Sequence, residues 1–231
     1  MDRSDWIKQM RREAEQRYDT IWAPLYGEKW GLYPNKTHQL FIRKLLSLLP
    51  QPGRILDAAC GAGRYVPMLL EGGHTVIGID QSQGMLSRLR QKFPTVQVEK
   101  VGLQEIRYRE LFDGTICMDA MEHVFPEDWA LVLGNFQRAL KPSGTLYFTV
   151  EIASEAEIEA AFQRSQGLGL PVVFGEWPDG DVYHYYPPMW QVKDWIQAAG
   201  LELIEEAEGD DYHHFLARTA SAGIAGQPIT G

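Results

Sequence analysis

The stretch Arg54-Ile-Leu-Asp-Ala-Ala-Cys-Gly-Ala-Gly-Arg64 decides how this chain folds. Residues 54–58 predict a short buried strand, which runs directly into a glycine turn and then into a helical pattern over 64–71. At such a junction, backbone N–H groups are free to bind a ligand, and glycine permits a close approach that a Cβ would block. Asp57 ends the strand, where its carboxylate can accept hydrogen bonds.

A second acidic residue, Asp80, closes the next predicted strand over 75–79. Two neighbouring strands that end in carboxylates, with a glycine turn between them, indicate a nucleoside pocket at the carboxyl edge of a parallel sheet. Asp80 could instead cap a helix that starts near Ser82, but its distance from Gly61 favours ribose binding.

The glycine turn differs from a dinucleotide site. Such sites follow the pattern G-x-G-x-x-G, whereas Gly61-Ala62-Gly63-Arg64-Tyr65-Val66 lacks the third glycine. Asp57 would also repel a pyrophosphate placed on the turn. A ligand with an amine or sulfonium suits the turn better, so a nicotinamide-dependent oxidoreductase is disfavoured.

The segment from Asp57 to Gly63 resembles the first motif of class I S-adenosylmethionine-dependent methyltransferases, roughly D-x-G-x-G-x-G. Ala59 stands where that pattern has its first glycine, a departure that is tolerable if the local φ is negative. Three further motifs follow in the family's order, and the resemblance covers about residues 40–218. They lie at 80–85, 112–124 and 140–150.

This resemblance implies a Rossmann-like, doubly wound α/β fold. Its sheet would have seven mostly parallel strands with an antiparallel last strand. We expect an N-terminal helical lid over 1–50, since apolar residues recur at helical spacing from Trp6 to Leu25. The methyltransferase domain would span 51–218, with a cap insertion at about 152–188 and a disordered tail over 219–231.

The family pattern also implies a set of S-adenosylmethionine-binding residues. Gly63 could serve helix–sheet packing instead, Met85 could be a core residue, and Asp119 could cap a helix. The family's usual acid after the third strand is Gly102 here, which shifts adenine recognition to the Leu103 backbone or to Gln104. The full set is Asp57, Ala59, Cys60, Gly61, Gly63, Asp80, Gln81, Met85, Gly102, Leu103, Met118, Asp119 and His123.

His123 is the candidate catalytic residue. It follows the fourth predicted strand, near the expected point of methyl transfer, and an imidazole titrates close to neutral pH. Many relatives carry a histidine here that only packs on the cofactor, so both roles stay open. The neighbouring Glu122 is interpreted as structural.

An aromatic segment, Tyr183-His184-Tyr185-Tyr186-Pro187-Pro188, follows the fifth predicted strand. Related enzymes build a substrate lid at this place, so these four rings and Tyr33 are predicted to line the acceptor pocket; a packed loop is the alternative. His213 and His214 are adjacent on a predicted strand and point to opposite faces, so no metal site is expected.

Composition limits the possible partners. A formal charge of −9 over 231 residues argues against binding a phosphate backbone. No apolar run approaches about 18 residues, so no membrane partner is expected. The absence of a signal sequence, with Cys60 and Cys117 as the only cysteines, predicts a reduced cytoplasmic setting in which both are small buried residues.

The sequence therefore predicts an S-adenosylmethionine-dependent methyltransferase, of the EC 2.1.1 class, that acts on a small-molecule acceptor as a monomer or homodimer. The acceptor atom stays open between oxygen, nitrogen and carbon. Two alternatives remain: a catalytically silent regulatory module that binds the cofactor, and, less favoured, the nicotinamide-dependent oxidoreductase.

Overall fold

A computed structural model describes residues 2–29, 35–179 and 182–220 of the chain. Tyr33 and the predicted tail beyond residue 220 lie outside the described residues. At the amino end, α1 (Arg3–Arg17), a π-helical turn (Tyr18–Trp22) and α2 (Ala23–Lys29) form one continuous N-terminal segment. The cap of α1 is Asp2, whose side chain accepts a hydrogen bond from the backbone N–H of Asp5.

A seven-stranded sheet forms the centre of the molecule, in the order β3-β2-β1-β4-β5-β9-β8. The first five strands pair in parallel, whereas β9 pairs antiparallel with both β5 and β8. The predicted doubly wound fold is therefore confirmed. The strands are β1 (Arg54–Ala58), β2 (Thr75–Asp80), β3 (Gln97–Lys100), β4 (Phe112–Cys117), β5 (Leu140–Glu151), β8 (Leu201–Gly209) and β9 (Tyr212–Thr219).

Helices cover both faces of the sheet and bury its apolar strands in two clusters of core residues. The helix predicted over 64–71 is only one turn long, because Pro67 lies in its first turn and Gly72 adopts a φ of 76° just beyond it. The helices that follow the N-terminal segment are α3 (Lys36–Leu48), α4 (Val66–Leu69), α5 (Gln83–Lys92), α6 (Trp129–Ala139), α7 (Glu155–Gly167) and α8 (Met189–Ala198).

The insertion after α7 is more regular than the sequence suggested. Residues 167–188 carried no periodic pattern, yet β6 (Glu176–Asp179) and β7 (Val182–Tyr185) form an antiparallel pair. Strand alternation buries Tyr183 and Tyr185 and leaves His184 half-buried on the other face. Trp6 of α1 makes edge contacts with the rings of Phe125 and Tyr183, so the N-terminal segment packs directly on this hairpin.

Candidate functional site

A cavity of about 770 Å³ opens at the carboxyl ends of the parallel strands, between the sheet, the N-terminal segment and the β6–β7 hairpin. Its volume lies in the range of small-molecule sites. The cavity brings together all the predicted cofactor residues except Gly63. A Cβ on Gly63 would meet the side chain of Leu89 at 3.0 Å, so this glycine permits close packing against α5.

Asp80 ends β2 and is tied to the glycine turn. Its Oδ2 accepts a 2.9 Å hydrogen bond from the Gly61 N–H, and its Oδ1 accepts one of 2.8 Å from the Ser82 N–H. Burial raises the pKa of Asp80 to about 6, although these backbone hydrogen bonds act in the opposite direction. The carboxylate is therefore fixed in place and keeps further lone pairs for a ligand.

Asp57 ends β1 beside it and is 3% exposed. Burial, followed by the neighbouring charge of Asp80, raises the pKa of Asp57 to about 8. Two buried carboxyl groups side by side favour a ligand that donates hydrogen bonds or carries positive charge, because such a ligand stabilises their ionised forms.

The turn after β1 corrects one expectation. Ala59 has a φ of 56°, in the left-handed region, and not the negative φ on which its tolerance was argued. A non-glycine residue in this region costs about 1 kcal/mol or more. Gly61 follows with a φ of 52°, and the Tyr26 hydroxyl would lie 3.4 Å from a Cβ placed on it, so this side chain of the N-terminal segment covers the turn.

Asp119 is held by side chains that the sequence analysis missed. Arg64 Nη1 donates a 2.8 Å hydrogen bond to Asp119 Oδ2, and His38 Nε2 lies 3.1 Å from its Oδ1. The Arg64 guanidinium also lies 5.8 Å from the centre of the Tyr26 ring. An arginine and carboxylates along one wall provide partners for both ends of an amino-acid zwitterion.

At the opposite end of the cavity, Gly102 and Leu103 follow β3 at the place of the family's adenine contacts. The side chain of Gln104 donates a 3.0 Å hydrogen bond to Asp128, so its amide is already engaged. Met85 is buried and also contributes to the lining. The apolar side chains of Met85 and Leu103 therefore lie beside the backbone groups of this loop and the amide oxygen of Gln104, which can still accept a hydrogen bond.

His123 lies between the N-terminal segment and the hairpin. Its Nδ1 is 2.8 Å from the carbonyl oxygen of Tyr183, which can only accept, so Nδ1 carries the proton. Its Nε2 therefore accepts a hydrogen bond from Tyr18, whose hydroxyl lies 3.2 Å away. Burial lowers the pKa of His123, which favours this neutral tautomer.

The aromatic segment is divided between two environments. Tyr183 and His184 line the cavity, but Tyr185 and Tyr186 do not contribute to its lining. Tyr185 packs edge-on against Trp129, and the Tyr186 hydroxyl donates to Glu151 at 3.0 Å. Both rings therefore support the wall from behind, which differs from the predicted direct contact with an acceptor.

Two carboxyl groups complete the wall near His123. Glu122 is 2% exposed, and its Oε2 has no hydrogen-bond partner within the described residues. Burial, followed by the charge of Asp119, raises the pKa of Glu122 well above its ordinary value. Glu151 ends β5 and lies 3.5 Å from His184 through its Oε2. Glu122, which the sequence analysis interpreted as structural, thus contributes to the cavity wall.

Several lining residues gave no sequence signal, because they reach the site from distant parts of the chain. The lid pattern predicted a covering helix but did not indicate which side chains would point inward. The cavity-lining residues that the sequence analysis did not predict include Tyr18, Tyr26, His38, Arg64, Tyr65, Glu151 and Tyr212.

The adjacent histidines of β9 have structural partners. His214 lies 2.9 Å from both the Tyr147 hydroxyl and the Gly209 carbonyl oxygen, whereas His213 lies 3.0 Å from Glu206. Across 2–29, 35–179 and 182–220, no group of three metal-ligating side chains converges. The helices in those ranges are too short or too polar to cross a membrane.

Comparison with known proteins places these features in a family. Residues 55–144 match the family model of a methyltransferase domain. The fold is similar to that of 1,6-didemethyltoxoflavin-N1-methyltransferase from Burkholderia thailandensis, crystallised with 1,6-didemethyltoxoflavin and S-adenosylhomocysteine; the TM-score is 0.71, with 15% identity over 96% of this chain and 92% of that one. The matched domain, within this fold, is that of a class I S-adenosylmethionine-dependent methyltransferase.

Two curated relatives support the same assignment. The "Putative methyltransferase YqeM" of Bacillus subtilis is 38% identical over 134 residues, which are 55% of this chain and 53% of the relative. The ubiquinone biosynthesis O-methyltransferase of Paracidovorax citrulli is 28% identical, over 76% of this chain and 74% of the relative. The methyltransferase thus spans about half the length of the first relative and about three quarters of the second.

The methyltransferase's cofactor is S-adenosylmethionine, and the cavity fits it. Asp80 is fixed by the Gly61 N–H and can accept from ribose hydroxyls. The amino-acid end of the cofactor suits the side chains of Asp57, Arg64 and Asp119. Its adenine base suits the end of the cavity near Met85 and Leu103. These residue roles stay proposals, derived from the chemistry of the donor set.

Proposed function

We propose that this methyltransferase acts on a small-molecule acceptor inside the cavity. The observation that carries the proposal is the covered chamber past the cofactor residues, where His123, His184 and Glu151 line the wall. The N-terminal segment closes this chamber from above through Tyr18. A covered chamber of this size excludes a folded protein or a duplex but admits a metabolite.

The N-terminal segment is held in place by charged contacts with the rest of the domain. Arg3 donates 2.9 Å hydrogen bonds to both carboxylate oxygens of Glu176, in the hairpin, and Lys100 pairs with Glu15 at 2.6 Å. Asp19 accepts hydrogen bonds at the start of α5. This covering excludes water and holds the acceptor in one orientation.

The chemical demands on the protein are modest. S-adenosylmethionine supplies an activated methyl group when it is bound, so the protein's task is alignment. The His123 Nε2 carries a lone pair at neutral pH, since Nδ1 holds the proton. It can therefore accept a proton from an acceptor group that takes the place of the Tyr18 hydroxyl.

The strongest alternative is a module that binds the cofactor without turnover. A nicotinamide-dependent oxidoreductase is less favoured, because the turn after β1 lacks the third glycine of the dinucleotide pattern. The buried polar wall favours turnover over silent binding, because the Nε2 lone pair of His123 is engaged by the Tyr18 hydroxyl, which an acceptor group can replace.

Two measurements test the proposed function. Calorimetry should detect binding of S-adenosylmethionine and S-adenosylhomocysteine but not of NAD. A metabolite extract incubated with the protein and methyl-labelled cofactor should yield labelled small molecules, and heat-denatured protein is the control. Cofactor binding without labelling by any extract would favour the silent module, whereas binding of NAD alone would favour the oxidoreductase.

A further inference from the structure

The acceptor end of the cavity contains interacting carboxyl groups. Asp119, Glu122 and Glu151 all contribute to the lining, and the charged side chains that act most strongly on Glu122 are the other two. Asp119 is neutralised by Arg64 at 2.8 Å. Within the described residues, neither Glu122 nor Glu151 forms an ion pair with an arginine or a lysine, and the imidazole of His184 lies 3.5 Å from Glu151.

Glu122 stands out among them because its Oε2 is buried and unpartnered. A buried carboxyl oxygen without a donor costs free energy, so a protein retains one chiefly where a ligand supplies the donor. Glu151 receives a hydrogen bond from Tyr186, also lines the cavity, and is close enough for its charge to act on Glu122. The two groups together form an acceptor-rich corner. Burial raises the pKa of both carboxyl groups, so a cationic ligand would bind them by stabilising their ionised forms.

Aromatic side chains surround this corner. The His123 and His184 ring centres lie 4.9 Å apart, and Tyr183 and Tyr212 also contribute to the lining. The π-faces of such rings attract cations, and carboxyl groups beside them strengthen that attraction. Burial, followed by the influence of His123, lowers the pKa of His184 to about 3, so this imidazole is neutral and does not offset the acidic charge.

We propose that the acceptor is a small organic cation whose protonated nitrogen is held by the carboxyl groups of Glu122 and Glu151. This deepens the proposed function and rests on it. The nitrogen anchors the molecule, and the atom that receives the methyl group need not be that nitrogen. An anionic acceptor would further disfavour ionisation of these carboxyl groups, and a neutral one would leave the Glu122 Oε2 without a charged donor.

Fractionation of substrates by charge tests this inference. A metabolite extract is separated by ion exchange into cationic, neutral and anionic fractions, and each is incubated with the methyltransferase and methyl-labelled cofactor. We expect label in products of the cationic fraction. Label from the neutral or anionic fraction alone overturns the inference but keeps the proposed function, whereas no label from any fraction removes the proposed function itself.

Two variants test whether the carboxyl groups of Glu122 and Glu151 cause the preference for a cationic acceptor. Glu122→Gln and Glu151→Gln should each raise the KM for the labelled cationic acceptor on the order of 10- to 100-fold, because a charge-assisted hydrogen bond is lost. S-adenosylhomocysteine affinity, measured by calorimetry, shows that each variant is folded. Glu71→Gln, at an exposed position before β2, is the matched control. An unchanged KM in both folded variants overturns the inference.

Discussion

The Tyr18 hydroxyl lies 3.2 Å from His123 Nε2, so the N-terminal segment contacts the ring nitrogen through which His123 can accept a proton. This hydrogen bond stabilises the neutral imidazole and, together with burial, opposes its protonation. The segment therefore both covers the cavity and influences the titration of its candidate base.

A pH profile of turnover tests the role of His123. Because its pKa is lowered from 6.5, the ring is neutral at pH 7 and above, and kcat at saturating cofactor should fall only at pH values below about 6.5. His123→Gln should lower kcat on the order of 100-fold and abolish the acidic limb. Tyr18→Phe removes the donor to Nε2, so its acidic limb should move to higher pH. Profiles identical to that of the wild type would assign His123 to packing.

Asp80 is expected to carry a large share of cofactor affinity. Asp80→Asn keeps the shape of the side chain but replaces one charged acceptor oxygen with a donor. The expected loss is about 2–3 kcal/mol of binding free energy for S-adenosylhomocysteine, measured by calorimetry. Asp194→Asn, at an exposed position on α8, is the matched control. Equal affinity in both folded variants would remove Asp80 from the cofactor site.

The sequence predicted the sheet well because its strands are apolar runs that end at acids or turns. The bounds of β1 agree to the residue, and the order of motifs places Asp57 and Asp80 at neighbouring strand ends. Those positions depend on local pattern and parallel pairing alone. The positions of Asp57 and Asp80 in the site were therefore predictable from short stretches of the sequence.

The walls of the site were less predictable, because they depend on contacts between distant segments. Arg64 meets Asp119 across 55 positions, and Tyr18 meets His123 across 105. The β6–β7 pair has only short strands, so its alternation was hidden, and this explains why Tyr185 was expected in the cavity. Ala59 at positive φ was unexpected because alanine normally avoids that region.

Asp57 should make the stability of the cofactor-free protein depend on pH. Its pKa is raised from 3.8 to about 8 in the folded state, so folded protein binds a proton that unfolded chain releases between these values. The contribution of the Asp57 carboxyl to the free energy of unfolding is fully present below about pH 4 and is lost as the pH rises through 8. Asp57→Asn should thus raise the free energy of unfolding by several kcal/mol more at pH 8 than at pH 5, because each pH unit between the two pKa values costs the folded state about 1.4 kcal/mol.

Urea unfolding at the two pH values measures that difference. Asp5→Asn, on the exposed first turn of α1, is the control and should behave as the wild type at both pH values. A variant that gains the same stability at pH 5 as at pH 8 would show that removal of the carboxyl acts through packing and not through its titration.

Asp19 connects the N-terminal segment to the cofactor wall, and its loss should loosen the segment. Its Oδ1 accepts from the Ser82 hydroxyl at 2.6 Å and from the Gly84 N–H at 2.9 Å, at the start of α5. A Cβ on Gly84 would lie 2.8 Å from the Asp19 carbonyl oxygen, so the two elements already touch at the backbone. Asp19→Ala removes a helix cap worth about 1 kcal/mol.

Hydrogen exchange over residues 2–29, measured with S-adenosylhomocysteine bound, should become faster in Asp19→Ala but not in the exposed control Asp5→Ala. The cap belongs to a contact between two separate elements, so its loss should weaken closure of the segment while the sheet keeps its protection. Unchanged exchange over 2–29 with faster exchange confined to α5 would mean that Asp19 only stabilises that helix and does not hold the segment closed.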